Sequence, residues 1–300
     1  MADITLTASA RSALNSLQGT ASLMSRTQGR LTSGMKVASA IDDAVAYFKA
    51  KGLSDRASDF TDRKSEIDQG ISSLKAAVNG TSIADSVLKQ MKGLVNSVRT
   101  ADASTRATLT SQFNDLAKQL SSSQTDASYQ GLNLVNNSTA SMTVYFNQGT
   151  GASLQVAAQN LQTSVLVTAM YAANAAGSDG TLSIMLSAAG ATGNAGFSVL
   201  SDSTSATAVL DQMDQQLAAS VSTVRAASAR LGGNVTFLQT RLDFTNNYVS
   251  TMTEGGGKLT LADLNEEGAN LVSLQTRQQI GIQSLSIAGQ QQQAILSLLR

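Results

Sequence analysis

The side chains able to do chemistry are few, and their types restrict what they can be. The 300 residues include no His and no Cys. Ser-His-Asp and Cys-His nucleophiles are therefore excluded, as are the usual zinc, haem and iron-sulfur ligand sets. Ser33-x-x-Lys36, Ser72-x-x-Lys75 and Ser86-x-x-Lys89 repeat the spacing of an acyl-serine site. With no Ser-Asp-Asn or Lys-Thr-Gly partner, they read as coincidence in a Ser-rich chain. Asp42-Asp43 and Glu266-Glu267 are the carboxylate pairs that could serve acid–base work or a hard cation. Adjacent residues on a helix diverge by about 100° and do not converge on one atom. Each pair stands at an expected helix start, where negative charge complements the helix dipole. Gly255-Gly256-Gly257-Lys258-Leu259 lacks the hydroxyl residue and the earlier Gly of a phosphate loop, and Gly190, Gly193 and Gly196 do not have dinucleotide-loop spacing. Asn79-Gly80-Thr81, Asn137-Ser138-Thr139 and Asn234-Val235-Thr236 fit the glycosylation acceptor pattern, a weak signal in this composition. The expectation is a protein that is not an enzyme and holds neither cofactor nor metal.

Composition limits the partners. Lys and Arg number 21 against 21 Asp and Glu, and aromatics are 4% of the chain. Neither a basic footprint nor stacking platforms for nucleic acid are indicated. Zero net charge removes the repulsion that keeps copies apart and favours self-association. No secretory signal is visible at Met1-Ala2-Asp3-Ile4-Thr5. The most apolar run, Val165 to Ala176, falls short of the ~18 residues of a membrane span. With no Pro anywhere, no helix has to stop for want of a backbone donor.

The elements that would position any site are long helices. Ala10, Leu14, Leu17, Ala21, Met24, Gln28, Leu31, Met35 and Ala38 alternate steps of four and three, the seam of a supercoiled helix. Small residues from Thr32 to Ala40 read as a connector, after which Asp42-Asp43 caps the next helix. That helix runs from Asp43 to about Val98, with Val45, Phe48, Phe60, Ile67, Ile71, Leu74, Val78, Ile83, Val87, Met91, Leu94 and Val98 apolar. Its stripe drifts near Gly80, where a bend or a change of partner is expected. Ser104 to Ser122 forms a third helix turning back on the second, and Met142–Phe146 with Leu154–Val156 forms a β-hairpin.

Residues 160 to 204 are Gly-rich and irregular, an exposed elaboration or flexible insert. Helical period then returns from Leu210 through Leu217, Val224, Leu231, Leu238 and Thr245 to Met252, and residues 206 to 253 would make a rod of about 70 Å at ~1.5 Å per residue, which Gly255-Gly256-Gly257 should end. From Leu259 to Arg300, Leu264, Leu271, Leu274, Ile282, Leu285, Ala288, Ile295 and Leu299 gather into one narrow stripe among Gln, Ser and Thr. So thin a helix must take most of its stability from partners. The expected fold class is mainly α: long antiparallel helical hairpins forming a coiled-coil rod from both ends of the chain, with a small β-hairpin and an irregular insert in the middle.

Arg30-Leu31-Thr32-Ser33-Gly34-Met35-Lys36-Val37-Ala38-Ser39-Ala40-Ile41-Asp42-Asp43-Ala44 resembles a segment of the bacterial flagellins. So do Leu261 to Leu271, Thr276-Arg277-Gln278-Gln279 and the closing Ile295 to Arg300, which are similar to the carboxy terminus of alphaproteobacterial flagellins; Leu231-Gly232 and Arg241-Leu242 also fit. The resemblance implies an extracellular filament subunit that polymerises with itself and is exported unfolded through the flagellar secretion apparatus. An export chaperone, a filament cap and hook-associated proteins are implied as partners. It also implies an inner-tube helix and connector at 1–43, rod segments at 44–160 and 205–254, a surface insert at 161–204, and a connector with inner-tube helix at 255–300.

On this reading the assembly seams are Leu14, Leu17, Met24 and Leu31 at one end and Leu271, Leu274, Leu285, Leu296 and Leu299 at the other, with Gly34, Asp42 and Asp43 in the connector. Gln290 to Gln293 could line a channel with neutral amides, or be a solvated face. The family's Toll-like-receptor segment, Leu-Gln-Arg-x-Arg-Glu-Leu, is matched here by Leu88-Lys89-Gln90-Met91-Lys92-Gly93-Leu94. The first Arg and the Glu are lost, so weak recognition is expected. The alternatives are a hook–filament junction protein with the same end helices and a chemoreceptor-type helical module, which would need a membrane anchor or kinase-docking hairpin.

Overall fold

The computed structural model describes residues 8–147, 151–162, 166 and 204–298, excepting the side chains at 8–10, 204–206 and 292–298. Most of the expected insert and the hairpin loop at Gly149-Thr150 lie outside the described residues. The elements are α1 (Ala8–Ser33), α2 (Ala44–Val98), α3 (Ala103–Asp126), β1 (Ser128–Tyr129), β2 (Leu132–Asn133), β3 (Ser141–Tyr145), β4 (Ser153–Ala157), α4 (Thr204–Thr260) and α5 (Leu264–Leu298). The fold is mainly helical with a small antiparallel hairpin at its middle, as the periodicity predicts. Its residues divide into two compact units, one of 1–58 with 248–300 and one of 59–247. The boundaries fall inside α2 and α4.

The 59–247 unit is built on a helical pair. Every third or fourth residue of α2 from Ile67 through Ile71, Leu74, Ala77, Ala84, Leu88, Met91 and Val95 to Val98 is buried. So are Leu210, Met213, Leu217, Val221, Val224, Leu231 and Leu238 of α4. Ion pairs across the flanks fix an antiparallel register: Arg99 to Asp211 at 2.6 Å, Lys92 to Asp214 at 3.5 Å and Arg225 to Asp85 at 2.8 Å. Exposed pairs of this kind add little stability; the apolar seam supplies it.

Asp102 caps α3 by accepting from the Thr105 N–H, and Phe113 and Leu120 turn that helix onto the core. The expected hairpin forms with Met142 opposite Val156 and Val144 opposite Leu154. Met142, Val144 and Val156 face inward. Its close packing depends on Gly70, where an added Cβ would lie 2.7 Å from Val144 Cγ2. A second, two-residue-stranded hairpin, β1–β2, was not among the expected elements. It turns through Gln130 and Gly131, both at positive φ.

Two expectations are corrected. The glycine triplet does not end the long carboxy-proximal helix: α4 runs on to Thr260. Gly255 and Gly256 lie where α2 comes close, with added Cβ atoms 3.6 Å from Leu53 Cδ1 and from the Ala50 carbonyl oxygen. α2 runs on through Gly80, where a bend or a change of partner is expected, and Ala127 packs there, its Cβ 2.4 Å from where one added to Gly80 would stand. Val45, Phe48 and Ile83, expected on the apolar side of α2, are exposed at 64%, 64% and 48%.

Candidate assembly interface

The 1–58 with 248–300 unit pairs α1 with α5. Along α5, Glu267, Leu271, Leu274, Gln278, Gly281, Leu285 and Ala288 are buried or half-buried, an unbroken alternation of four- and three-residue steps. Along α1 the covered residues are Ala13, Leu14, Leu17, Thr20, Met24, Thr27 and Arg30. Two links set the register. Arg30 Nη1 donates to Glu267 Oε1 at 2.9 Å, and Leu17 Cδ1 occupies the space beside Gly281, 2.6 Å from where a Cβ would stand. Arg30 follows Leu17 by thirteen residues and Glu267 precedes Gly281 by fourteen, so the helices run antiparallel without slippage.

At one end of this pair the two connectors form a clip. Gly34, at φ +70°, closes α1 by donating to the Arg30 carbonyl. A side chain there would be strained, which suits Gly. The Lys36 and Val37 N–H groups donate to the Thr260 carbonyl at 2.7 and 3.2 Å, and Ala262 N–H returns a bond to the Gly34 carbonyl at 3.0 Å. Met35 thereby faces Leu261 in an antiparallel bridge.

Of the two connector aspartates, only Asp43 caps α2, its Oδ1 accepting from the Val45 and Ala46 N–H groups at 3.0 Å. Asp42 does not share that role. Its Oδ2 accepts from the Ser39 hydroxyl, the Ser39 N–H and the Ala38 N–H, and the bonds from Ser39 hold its carboxyl below the usual carboxylate value. On the far side Asp263 caps α5 through the Asn265 and Glu266 N–H groups. The Glu266-Glu267 pair diverges, Glu266 toward solvent and Glu267 into the seam.

Leu14, Leu17 and Met24 thus share one covered face with Leu271, Leu274 and Leu285. Leu31, expected beside them, is exposed at 37%, and Leu264 and Ile282 at 54% each. Leu299 and the Leu296 side chain lie outside the described residues. Thr27, Arg30, Glu267, Gln278 and Gly281 are seam positions that a search for apolar residues misses. Continuing the four-three steps from Leu274 to Leu285 regardless of residue type would have found Gln278 and Gly281.

A second set of apolar residues on α5, Val272, Ile280 and Ile287, is exposed at 62%, 59% and 51%. At about 100° per residue they fall on the side of the helix roughly opposite the seam. So α5 is apolar on two sides, and α1 covers one. Among the described residues no helix is long and apolar enough to cross a membrane, and no cluster of metal-ligating side chains occurs.

Residues 4–140 match the family model described as the bacterial flagellin N-terminal helical region, and residues 207–299 the bacterial flagellin C-terminal helical region. Flagellin FljK of Caulobacter vibrioides is 28% identical over 299 residues, covering 99% of this chain and 98% of its own. A flagellin of Brucella melitensis is 25% identical over the whole of both chains. Flagellin A of Rhizobium meliloti is 38% identical over 93 residues, 31% of this chain and 24% of that one.

Proposed function

The chain belongs to the bacterial flagellin family and is a flagellar filament subunit, and on that premise we propose how its parts divide the work. The terminal segments, 1–43 and 255–300, form the inner contacts between copies; 44–160 and 205–254 form a rod outside them; 161–204 is the surface insert. Assembly is through heterologous contacts, which do not close and so extend indefinitely. The observation that carries this reading is α5, covered by α1 on one side and bare at Val272, Ile280 and Ile287 on the other.

The polymer stands outside the cell, reached unfolded through the flagellar export route with a chaperone, a cap and hook-associated proteins as partners. The role is structural, without catalysis. Gln290 and Gln291, both exposed, begin the neutral amide run that faces the channel. The relatives named above are flagellins, and no observation favours the hook–filament junction reading. The test is seeded growth followed by electron microscopy. Purified chain should elongate short filament seeds, whereas deleting Gln290 to Arg300 should abolish growth and leave 44–254 folded by circular dichroism. A truncated chain that elongates seeds at the full rate would overturn the assignment of α5.

A further inference from the structure

Exposed large apolar side chains crowd the connector: Leu31, Met35, Ile41, Val45, Leu261 and Leu264. One of them is chemically unlike the rest. Met35 carries a thioether, is 43% exposed, and is held in place because its backbone is bridged to Leu261 and its N–H is bonded to the Ser33 hydroxyl at 3.2 Å. Of the other described methionines, Met91, Met142, Met213 and Met252 are buried at 7% exposure or less, and Met24 is half-buried in the α1·α5 seam. Oxidant access follows exposure, and the sulfoxide is polar where the thioether is apolar.

We propose that Met35 is a peroxide-reactive site that controls subunit addition: oxidised in the free subunit, it makes the connector surface too polar to be covered by a neighbouring copy. The Met35 sulfur lone pair attacks one peroxide oxygen and the O–O bond breaks. A sulfoxide and one water are formed; the sulfur is oxidised by two electrons and the peroxide reduced by two. The inference rests on the proposed function, because it needs copies to meet at the connector. In the filament the same side chain is covered and protected.

The probe is hydrogen peroxide. Full-length monomer is treated, quenched and mapped by mass spectrometry, then offered to untreated seeds. Met35 sulfoxide should form about tenfold faster than sulfoxide at Met91, Met142, Met213 or Met252, and about tenfold faster in monomer than in filament. Treated wild type should elongate about tenfold slower than its own untreated sample, whereas Met35→Leu, normalised to its own untreated rate, should lose less than about twofold. Met35→Gln should behave without peroxide as the treated wild type does. Equal sensitivity of wild type and Met35→Leu overturns the proposal, as does oxidation of Met35 no faster than of the buried methionines. Failure of the untreated chain to elongate seeds instead overturns the filament assignment beneath it, so the two failures are distinguishable.

Discussion

Removing Arg30 should weaken assembly by a predictable amount. In Arg30→Ala the Glu267 carboxylate, whose side chain is 9% exposed, loses its 2.9 Å partner between α1 and α5. A hydrogen bond to a charged group contributes about 1.5–3 kcal/mol. The Arg30 side chain is 31% exposed, so water screens part of that, and a cost of about 1–2 kcal/mol is expected. If the α1·α5 register must be in place before a copy adds, the critical concentration for polymerisation should rise about 5- to 30-fold. High salt should reduce the effect only in part, because Glu267 is shielded while Arg30 is partly exposed. Lys51→Ala is the control: it removes an i,i+4 pair with Asp55 whose side chains are 59% and 60% exposed, and should move the critical concentration less than about twofold. The double variant Arg30→Ala/Glu267→Ala should recover part of the loss, since no bare carboxylate remains in the seam. Sedimentation of polymer across a concentration series measures these variants together with wild type and Glu267→Ala, the second single of the cycle. An unchanged critical concentration in Arg30→Ala, or a double variant with the summed loss of the two singles, would refute the reasoning.

Gly80→Ala should lower the melting temperature although Ala is the better helix former. Its helix gain of about 1 kcal/mol is outweighed by overpacking of about 1–3 kcal/mol against Ala127 Cβ, which cannot rotate away from the 2.4 Å approach. Gly281→Ala meets the flexible tip of Leu17 in a half-exposed seam instead, so calorimetry should show the smaller change there. The Asp42 carboxyl is held low by Ser39, so its contribution to the connector turn is present above the ordinary carboxylate pKa and lost as pH falls through the lowered value. The Ala38 and Ser39 amide shifts should therefore move only below about pH 4, and Asp42→Asn should show the acid-form shifts at neutral pH. Toll-like-receptor reporter cells should respond weakly: within Leu88 to Leu94, Leu88 and Met91 are fully buried and Lys89 and Lys92 are paired with Asp85 and Asp214. A response equal to that of a flagellin with the complete motif would remove this expectation.

The sequence carried the helices because their cause is local. With no Pro to interrupt it, a four-three apolar repeat has one efficient way to be buried, and Leu210 through Met252 occupy the covered side of α4 as their spacing requires. The end of that helix was not legible, because a glycine triplet reads as a helix end, whereas here Gly255 and Gly256 serve close approach to Leu53 and Ala50, far away in the chain. The β1–β2 hairpin was missed for the opposite reason. Two-residue strands leave no alternation to detect, and the only signal is the Gln130-Gly131 turn.

The seam itself shows where apolarity misleads. Ranking α5 by hydrophobicity selects Leu264 and Ile282, which stay exposed, over Glu267, Gln278 and Gly281, which do not. On the proposed reading, in which α5 joins copies as well as folding onto its own chain, it must place apolar residues outside its own seam. Within the seam it uses residues that distinguish one register from another: a glycine that admits Leu17, and a carboxylate that Arg30 meets. Slipping α5 by one heptad would keep an apolar face toward α1 but put a side chain where Gly281 is needed and leave Glu267 without its cation. The small and polar positions therefore fix the alignment of the two ends, and the large apolar residues left outside it, Val272, Ile280 and Ile287, remain available for the next copy.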